Sequence, residues 1–257
     1  MSQKAKTLIA KLAATHKIGA EELSYIISQT DPIFWQKVRE EADRVRQKYV
    51  GDAVHLRGLV EFSNYCRCNC CYCGLRRDNR EVHRYRLEPE EIVQTALFAA
   101  ELGYGTVVLQ SGEDPYFSAE IIEQIILEIK KKTALAITLS VGERTEEDYT
   151  IWRQAGADRY LLRHETADPT LYSSLHPGRN LEERIGCLKS LHRLGFEVGS
   201  GFMVGLPGQG PDTLAADLLL LQKLDVDMLG IGPFIPSPQT PLDREAGGSF
   251  EQTVNMV

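Results

Sequence analysis

Residues 57–79 read RGLVEFSNYCRCNCCYCGLRRDN, a short β-like run that leads into a loop crowded with cysteine. Five of the six cysteines lie between Cys66 and Cys73. Within that run Cys66, Cys70 and Cys73 form CxxxCxxC, and Tyr72 stands immediately before the last of them. Three thiolates on one short loop can hold three irons of a [4Fe–4S] cluster and leave the fourth iron without a protein ligand. A structural zinc site would draw on two Cys/His doublets a dozen or more residues apart. Here the nearby histidines are His55 and His83, no CxxC lies outside the loop, and Cys187 lies far downstream. A disulfide-stapled scaffold does not suit a chain this long and this poor in other cysteines. A cluster is the expected occupant of the loop, and Cys68 and Cys71 are extra thiols without an assigned role.

Outward from this loop, β-like runs alternate with amphipathic stretches. Strands are expected at 54–62, 106–110, 135–140, 159–164, 197–203 and 228–232, and helices at 89–102, 118–132, 145–155, 181–194 and 211–224. Such alternation, with glycine turns at Gly103, Gly105, Gly156 and Gly195, predicts a parallel α/β sheet with right-handed crossovers. The strand starts recur about every 35 residues, and 25 residues follow position 232. An eight-unit TIM-type (β/α) barrel needs more chain than that. The expectation is a partial barrel of about six parallel β/α units over 53–257, either complete at six strands or truncated. Residues 1–52 are expected to form an N-terminal helical extension. In it Asp31-Pro32 supplies an N-cap and an N1 proline, and Gly51 a C-terminal stop.

The chain of 257 residues carries 29 basic and 36 acidic side chains, a net charge of −7, which suggests no nucleic-acid partner. The N-terminal stretch lacks the continuous apolar core of a signal peptide, and no run approaches membrane-spanning length. Free cysteines without an export signal point to a reducing cytoplasm, and an open cluster to an anaerobic cell.

A barrel interior is ordinarily filled with Val, Ile and Leu. Period-two alternation here puts other chemistry on the inward faces. Arg57, Leu59 and Glu61 share one face of the first strand, Thr138 and Ser140 one face of the third, and Arg159, Leu161, Arg163 and Glu165 one face of the fourth. Buried charge needs partners, water or a ligand. A wet, polar cavity is expected, with an internal Arg–Glu network over Arg57, Arg159, Arg163, Glu61 and Glu165 as the alternative. Residues 110–114 (QSGED) follow the second strand as a candidate backbone cradle. Glycine-rich 201–209 and 230–233 end the fifth and sixth, where a flat ring could approach the backbone.

Several stretches together are specific. RGLVEFSN (57–64), the cysteine run, YCGLRRDN (72–79), Arg84-Tyr85-Arg86, LQSGEDPY (109–116), AGADRYLLRHET (155–166), MVGLPGQ (203–209) and GIGPFIP (230–236) closely resemble the HydE-type [FeFe]-hydrogenase maturases of the radical S-adenosylmethionine (SAM) superfamily. The resemblance covers about residues 54–257 and departs at the C-terminus, where those proteins add two further barrel units. It implies that Cys66, Cys70 and Cys73 bind the cluster. It further implies that Glu165 and Arg184 contact the polar groups of SAM, assisted by Tyr72, Gly112, Glu113, Ser140, Arg163 and Met228. Arg57, Thr138 and Arg159 would line the substrate end as catalytic residues.

The function so implied is reductive cleavage of SAM at a [4Fe–4S] cluster. The product would act on a cysteine–iron organometallic intermediate in assembly of the hydrogenase H-cluster. Implied partners are other hydrogenase maturases, an external electron donor and a small organometallic or amino-acid-derived substrate. A methylornithine synthase-like or biotin synthase-like enzyme, or an inactive truncated metal-binding scaffold, are the alternatives. Biotin synthase needs further barrel cysteines, whereas Cys187 falls on an expected helix.

Overall fold

The computed structural model describes residues 3–257. Three helices come first, α1 (Gln3–Thr15), α2 (Ala20–Ile27) and α3 (Pro32–Tyr49). Strands and helices then alternate: β1 (Gly58–Ser63), α4 (Pro89–Glu101), β2 (Thr106–Ser111), α5 (Ala119–Lys132), β3 (Ala136–Ser140), α6 (Glu146–Ala155) and β4 (Arg159–Leu161). After them run α7 (Pro169–Leu175), α8 (Leu181–Arg193), β5 (Glu197–Ser200), β6 (Met203–Val204), α9 (Pro211–Leu224), β7 (Met228–Leu229), β8 (Gly232–Pro233) and α10 (Phe250–Met256). The main sheet is six-stranded and parallel in the order β1-β2-β3-β4-β5-β7; β6 and β8 pair separately. This is the parallel α/β architecture expected from the alternation. No helix among the described residues is long and apolar enough to cross a membrane.

Local chemistry explains the helix ends. Ser118 caps α5 by accepting the Ile121 N–H, and Lys130, Lys131 and Lys132 fill its last turn, where a cation complements the helix dipole. Thr145 and Asp148 form a capping box on α6, which Gly156 closes in the left-handed conformation. Asp31 accepts the Ile33 N–H ahead of Pro32, as the Asp-Pro pair predicts. The same pair recurs at Asp168-Pro169 and starts α7, which periodicity alone does not reveal because the helix has seven residues.

The outward faces of the strands carry Val60, Phe62, Val107, Leu109, Ile137, Leu139, Tyr160, Leu162 and Val198, all buried against the helices. Helix α5 answers with Ile122, Ile125, Ile126 and Ile129, one stripe of a 3.6-residue repeat. Trp152 stacks on Tyr160 and Tyr149 meets both rings edge-on, and the Trp152 indole N–H donates to the Ala119 carbonyl at 3.0 Å. A second core joins α1 and α2 to Leu214, Ala215 and Leu221 of α9.

Register divides the inner wall into levels. Val108, Thr138, Arg159 and Glu197 lie abreast on neighbouring strands, and Glu61, Gln110 and Ser140 lie abreast two residues nearer the C-terminal ends. Two expected strands are shorter than their apolar runs. The fourth pairs only over Arg159–Leu161, and the fifth breaks into β5 and β6 around Gly201. A side chain at Gly201 would overlap the Gly230 carbonyl, so the glycine serves close approach of two strand ends. The first strand begins at Gly58, with Val54 and Leu56 exposed ahead of it.

Trp152→Ala removes a fully buried ring and a satisfied donor at once. We expect a loss of about 3–5 kcal/mol in urea unfolding. A change below about 1 kcal/mol would show that the aromatic stack does not anchor the sheet.

Candidate active site at the cysteine loop

Residues 64–86 form an irregular loop over the C-terminal end of β1. Such a loop cannot pair its backbone in a sheet, so its carbonyls need other donors. Arg84 gathers four of them, donating to Asn64, to Leu75 at 3.0 Å, to Arg76 at 2.8 Å and to Asn79 at 3.1 Å. The Arg77 N–H donates to the Cys68 carbonyl and the Cys71 N–H to the Leu175 carbonyl, each at 2.8 Å. Beneath the loop lies Gly112. A Cβ there would overlap the Tyr65 carbonyl oxygen and stand 2.8 Å from the Cys66 Cβ, so the loop can seat only on glycine. The Gly112 N–H donates to Ser63 at 3.2 Å, and its carbonyl accepts from the Asp114 N–H and the Ser111 hydroxyl. The polar groups of this cradle are thus engaged within the turn.

Cys66, Cys70 and Cys73 are free, half-buried thiols on this loop. Burial pushes Cys70 up to about 12, with the neighbouring thiols adding to the effect and Arg184 opposing it. Cys66 is lowered to about 6, chiefly by a hydrogen bond with the Cys68 thiol, with burial opposing. Ligation needs thiolates, so metal loading of this loop displaces protons. Among the described residues, no group of three or more His, Cys, Asp and Glu is gathered as for a single ion. Thiolates on three separate irons of a cubane stand farther apart than ligands of one ion.

A cavity of ≈770 Å³ opens beside the loop, lined among others by Tyr72, Ser140, Arg163, Glu165 and Arg184. Five residues predicted for the cofactor therefore share one space. Glu165 sits in the left-handed region at φ 66°, unusual for a non-glycine residue. Its backbone is fixed by N–H donation to Gly201 at 3.0 Å and acceptance from Met203 at 3.2 Å. Asp217 holds the next turn by accepting the Ala167 N–H. The Glu165 Oε2 is shut from solvent and has no hydrogen-bond partner. Burial raises this carboxyl above its ordinary value, while Arg163 and Arg184 pull it back. An unpartnered carboxylate oxygen beside two guanidiniums fits a ligand with adjacent ammonium and carboxylate groups, and the three-thiol loop fits a cluster with an open iron.

The remaining predicted residues lie elsewhere. The Glu113 side chain turns away from the cavity, accepting the Glu143 N–H at 2.9 Å, Arg67 at 3.0 Å and Arg179. Met228 pairs with Gly199 and packs over it. Arg57 is exposed ahead of β1. Thr138 is buried in the lower level with an unpartnered hydroxyl. Arg159, in the same level, bonds Glu197 and the Thr106 hydroxyl, the latter at 3.2 Å. The interior charges do not join into one Arg–Glu network: Glu61 accepts from Gln110, and Arg184 pairs with Glu143. Sequence reasoning passes over Glu143, Arg179, His176 and Arg84 as site residues. Glu143 and Arg179 bridge Glu113 and Arg184 in one buried ion cluster. The position of Glu143 just beyond the third strand was the available signal.

The chain matches the radical SAM superfamily over residues 60–221. It is 54% identical over 237 residues to the [FeFe] hydrogenase maturase subunit HydE of Thermotoga maritima, covering 92% of this chain and 68% of that protein. It is 28% identical to the 3-methylornithine synthase of Methanosarcina acetivorans, over 91% and 67% of the two chains. Among solved structures, methylornithine synthase superposes with a TM-score of 0.87 at 26% identity, covering 96% of this chain and 74% of that one. HydG, a maturase of the [FeFe]-hydrogenase, also gives 0.87, at 21% identity over 100% and 60%, which is a likeness of fold. The 54% identity to HydE across 92% of the chain, with the superfamily match, makes it a radical SAM enzyme of the HydE-like maturase family, whose superfamily uses a [4Fe–4S] cluster and SAM.

Proposed function

We propose that this chain cleaves SAM reductively and directs the product onto a cysteine–iron organometallic intermediate in H-cluster assembly. The observation that carries the reading is the cavity that Tyr72 of the cysteine loop shares with Ser140, Arg163, Glu165 and Arg184, together with the buried Glu165 Oε2 that has no partner within the chain. Cys66, Cys70 and Cys73 would hold the cluster. Glu165 would accept from the SAM ammonium, and Arg163 and Arg184 would face its carboxylate. A reduced cluster bound there would supply the electron that breaks the C5′–S bond of SAM. The Glu143 carboxylate holds Arg184 in place, and the Arg163 carbonyl accepts a second Arg184 donor at 2.7 Å, so the guanidinium is oriented before ligand arrives. Arg57, Thr138 and Arg159 belong to the proposal as residues of the substrate end. Arginines suit an anionic iron complex and an amino-acid carboxylate. Other maturases and an external electron donor are the partners this function requires.

A methylornithine synthase-like rearrangement is a second reading, favoured by the superposition on that enzyme. The higher identity to HydE weighs for the first. Incubation of the iron-loaded chain with lysine against a cysteine–iron–carbonyl–cyanide complex separates them: consumption of lysine alone would overturn the maturase reading.

Cys70→Ala removes one of three cluster ligands, and anaerobic reconstitution followed by assay of 5′-deoxyadenosine should show SAM cleavage abolished. Wild-type turnover in that variant would refute the cluster assignment. Glu165→Gln keeps the shape and removes the charge. Loss of a charged hydrogen bond worth about 1.5–3 kcal/mol should weaken SAM binding roughly 10–150-fold. Since burial disfavours the ionised carboxyl in the free protein, thermal stability of the metal-free variant should be unchanged or raised. Equilibrium dialysis and a melting curve read the two effects separately, and unaltered affinity would remove Glu165 from the site.

A further inference from the structure

Tyr72 borders the SAM cavity on one side, and its hydroxyl lies 3.0 Å from the Nε2 of His176. His176 follows α7 directly and is fully buried. Its other ring nitrogen, Nδ1, lies 3.0 Å from the Tyr172 carbonyl. A carbonyl only accepts, so Nδ1 must carry the proton. Nε2 of the neutral ring is then bare, and the Tyr72 hydroxyl must be the donor to it. The imidazole stacks on Tyr172 with ring centroids 4.1 Å apart, and meets Tyr72 edge to face at 5.4 Å. Both its rotation and its tautomer are therefore fixed by groups outside the cysteine loop. Burial, together with Arg184 and Arg179, lowers its protonation to about 4, in keeping with the neutral form. The same short segment grips the loop next door, where the Cys71 N–H donates to the Leu175 carbonyl and the Cys71 thiol to the Ser174 carbonyl at 3.4 Å.

We propose that His176 is a positioning residue for SAM: as a single-tautomer acceptor it holds the Tyr72 ring at the cavity wall, beside the cluster ligand Cys73. This rests on the SAM-site reading above. His176 touches no ligand itself; it acts through the phenol. A role for Cys71 comes with it, as the residue through which the loop docks on α7.

The test uses the full chain in three single variants and the double variant Tyr72→Phe/His176→Leu. Tyr72→Phe removes the hydroxyl and keeps the ring, His176→Leu removes the acceptor, and His176→Gln keeps an acceptor and a donor. Affinity is read from the change that SAM produces in the EPR spectrum of the reduced cluster, with iron content measured alongside. Tyr72→Phe and His176→Leu should each weaken SAM binding by about tenfold at unchanged iron content, the usual scale of one buried hydrogen bond. The double variant should be no weaker than either single one, because both delete the same contact. His176→Gln should recover part of the loss. If His176→Leu loses iron through misfolding, Tyr72→Phe decides by the same measure, since its packing is intact. Unchanged SAM affinity in Tyr72→Phe, or losses that multiply in the double variant, would overturn the proposal. Independently, nitrogen chemical shifts of histidine-labelled, metal-free protein should show His176 protonated at Nδ1; an Nε2–H tautomer overturns it too. A wild-type chain that holds iron yet gives no response to SAM would sink the SAM site and this inference together, whereas a normal wild-type response with unaffected variants sinks this inference alone.

Discussion

One guanidinium carries the loop on which the chemistry depends. The stretch from Asn64 to Arg86 has little secondary structure and few apolar side chains, so neither sheet pairing nor a hydrophobic core can shape it. Arg84 answers by taking four backbone carbonyls of that stretch into one planar fork of donors. A lysine, with a point charge and three donors, could not span them. Gly112 below and the α7 segment to the side then limit the loop from two further directions. The three cysteines are thereby presented by a loop held through its own backbone carbonyls and its contacts with Gly112 and α7.

Behind the loop, Glu113 and Glu143 alternate with Arg67, Arg179 and Arg184. Burial raises the Glu113 carboxyl, yet the Glu143 N–H and Arg179 more than offset this, and the net direction is downward. A carboxylate depressed in the folded state contributes stability above its unfolded pKa and loses that contribution as pH falls through the folded one. The ion cluster thus ties the seating of Arg184, through Glu143 and Arg179, to the depressed carboxyl of Glu113. It also explains why Glu113, adjacent to the glycine under the loop, supports the site from behind and stays out of the cavity.

Much of this was legible in the sequence. Period-two alternation placed Ser140, Arg163 and Glu165 on the inner wall, and Asp31-Pro32 marked a helix start. Strand ends were less legible. The fourth and fifth strands stop pairing where Glu165 takes a positive φ and Gly201 meets Gly230, and both are consequences of long-range contacts. Helix α7 was overlooked because seven residues give no measurable period. His176 and Arg179 follow it in a turn, HPGR, whose importance rests on partners some seventy to a hundred residues away in sequence. Arginine 84 reads as one basic residue among many until its carbonyl partners are assembled around it.

The tiers of the inner wall stand one step of the pleat apart. Arg159 and Glu197 knit the floor, while Glu61, Gln110 and Ser140 stand about 7 Å above them, two residues along each strand. Side chains on the upper tier are held by the strands yet contribute little to the aromatic and aliphatic packing on the far face. Exchanges there can reshape what the chamber accepts without loosening the scaffold, so related catalysts can diverge in preference on a shared frame.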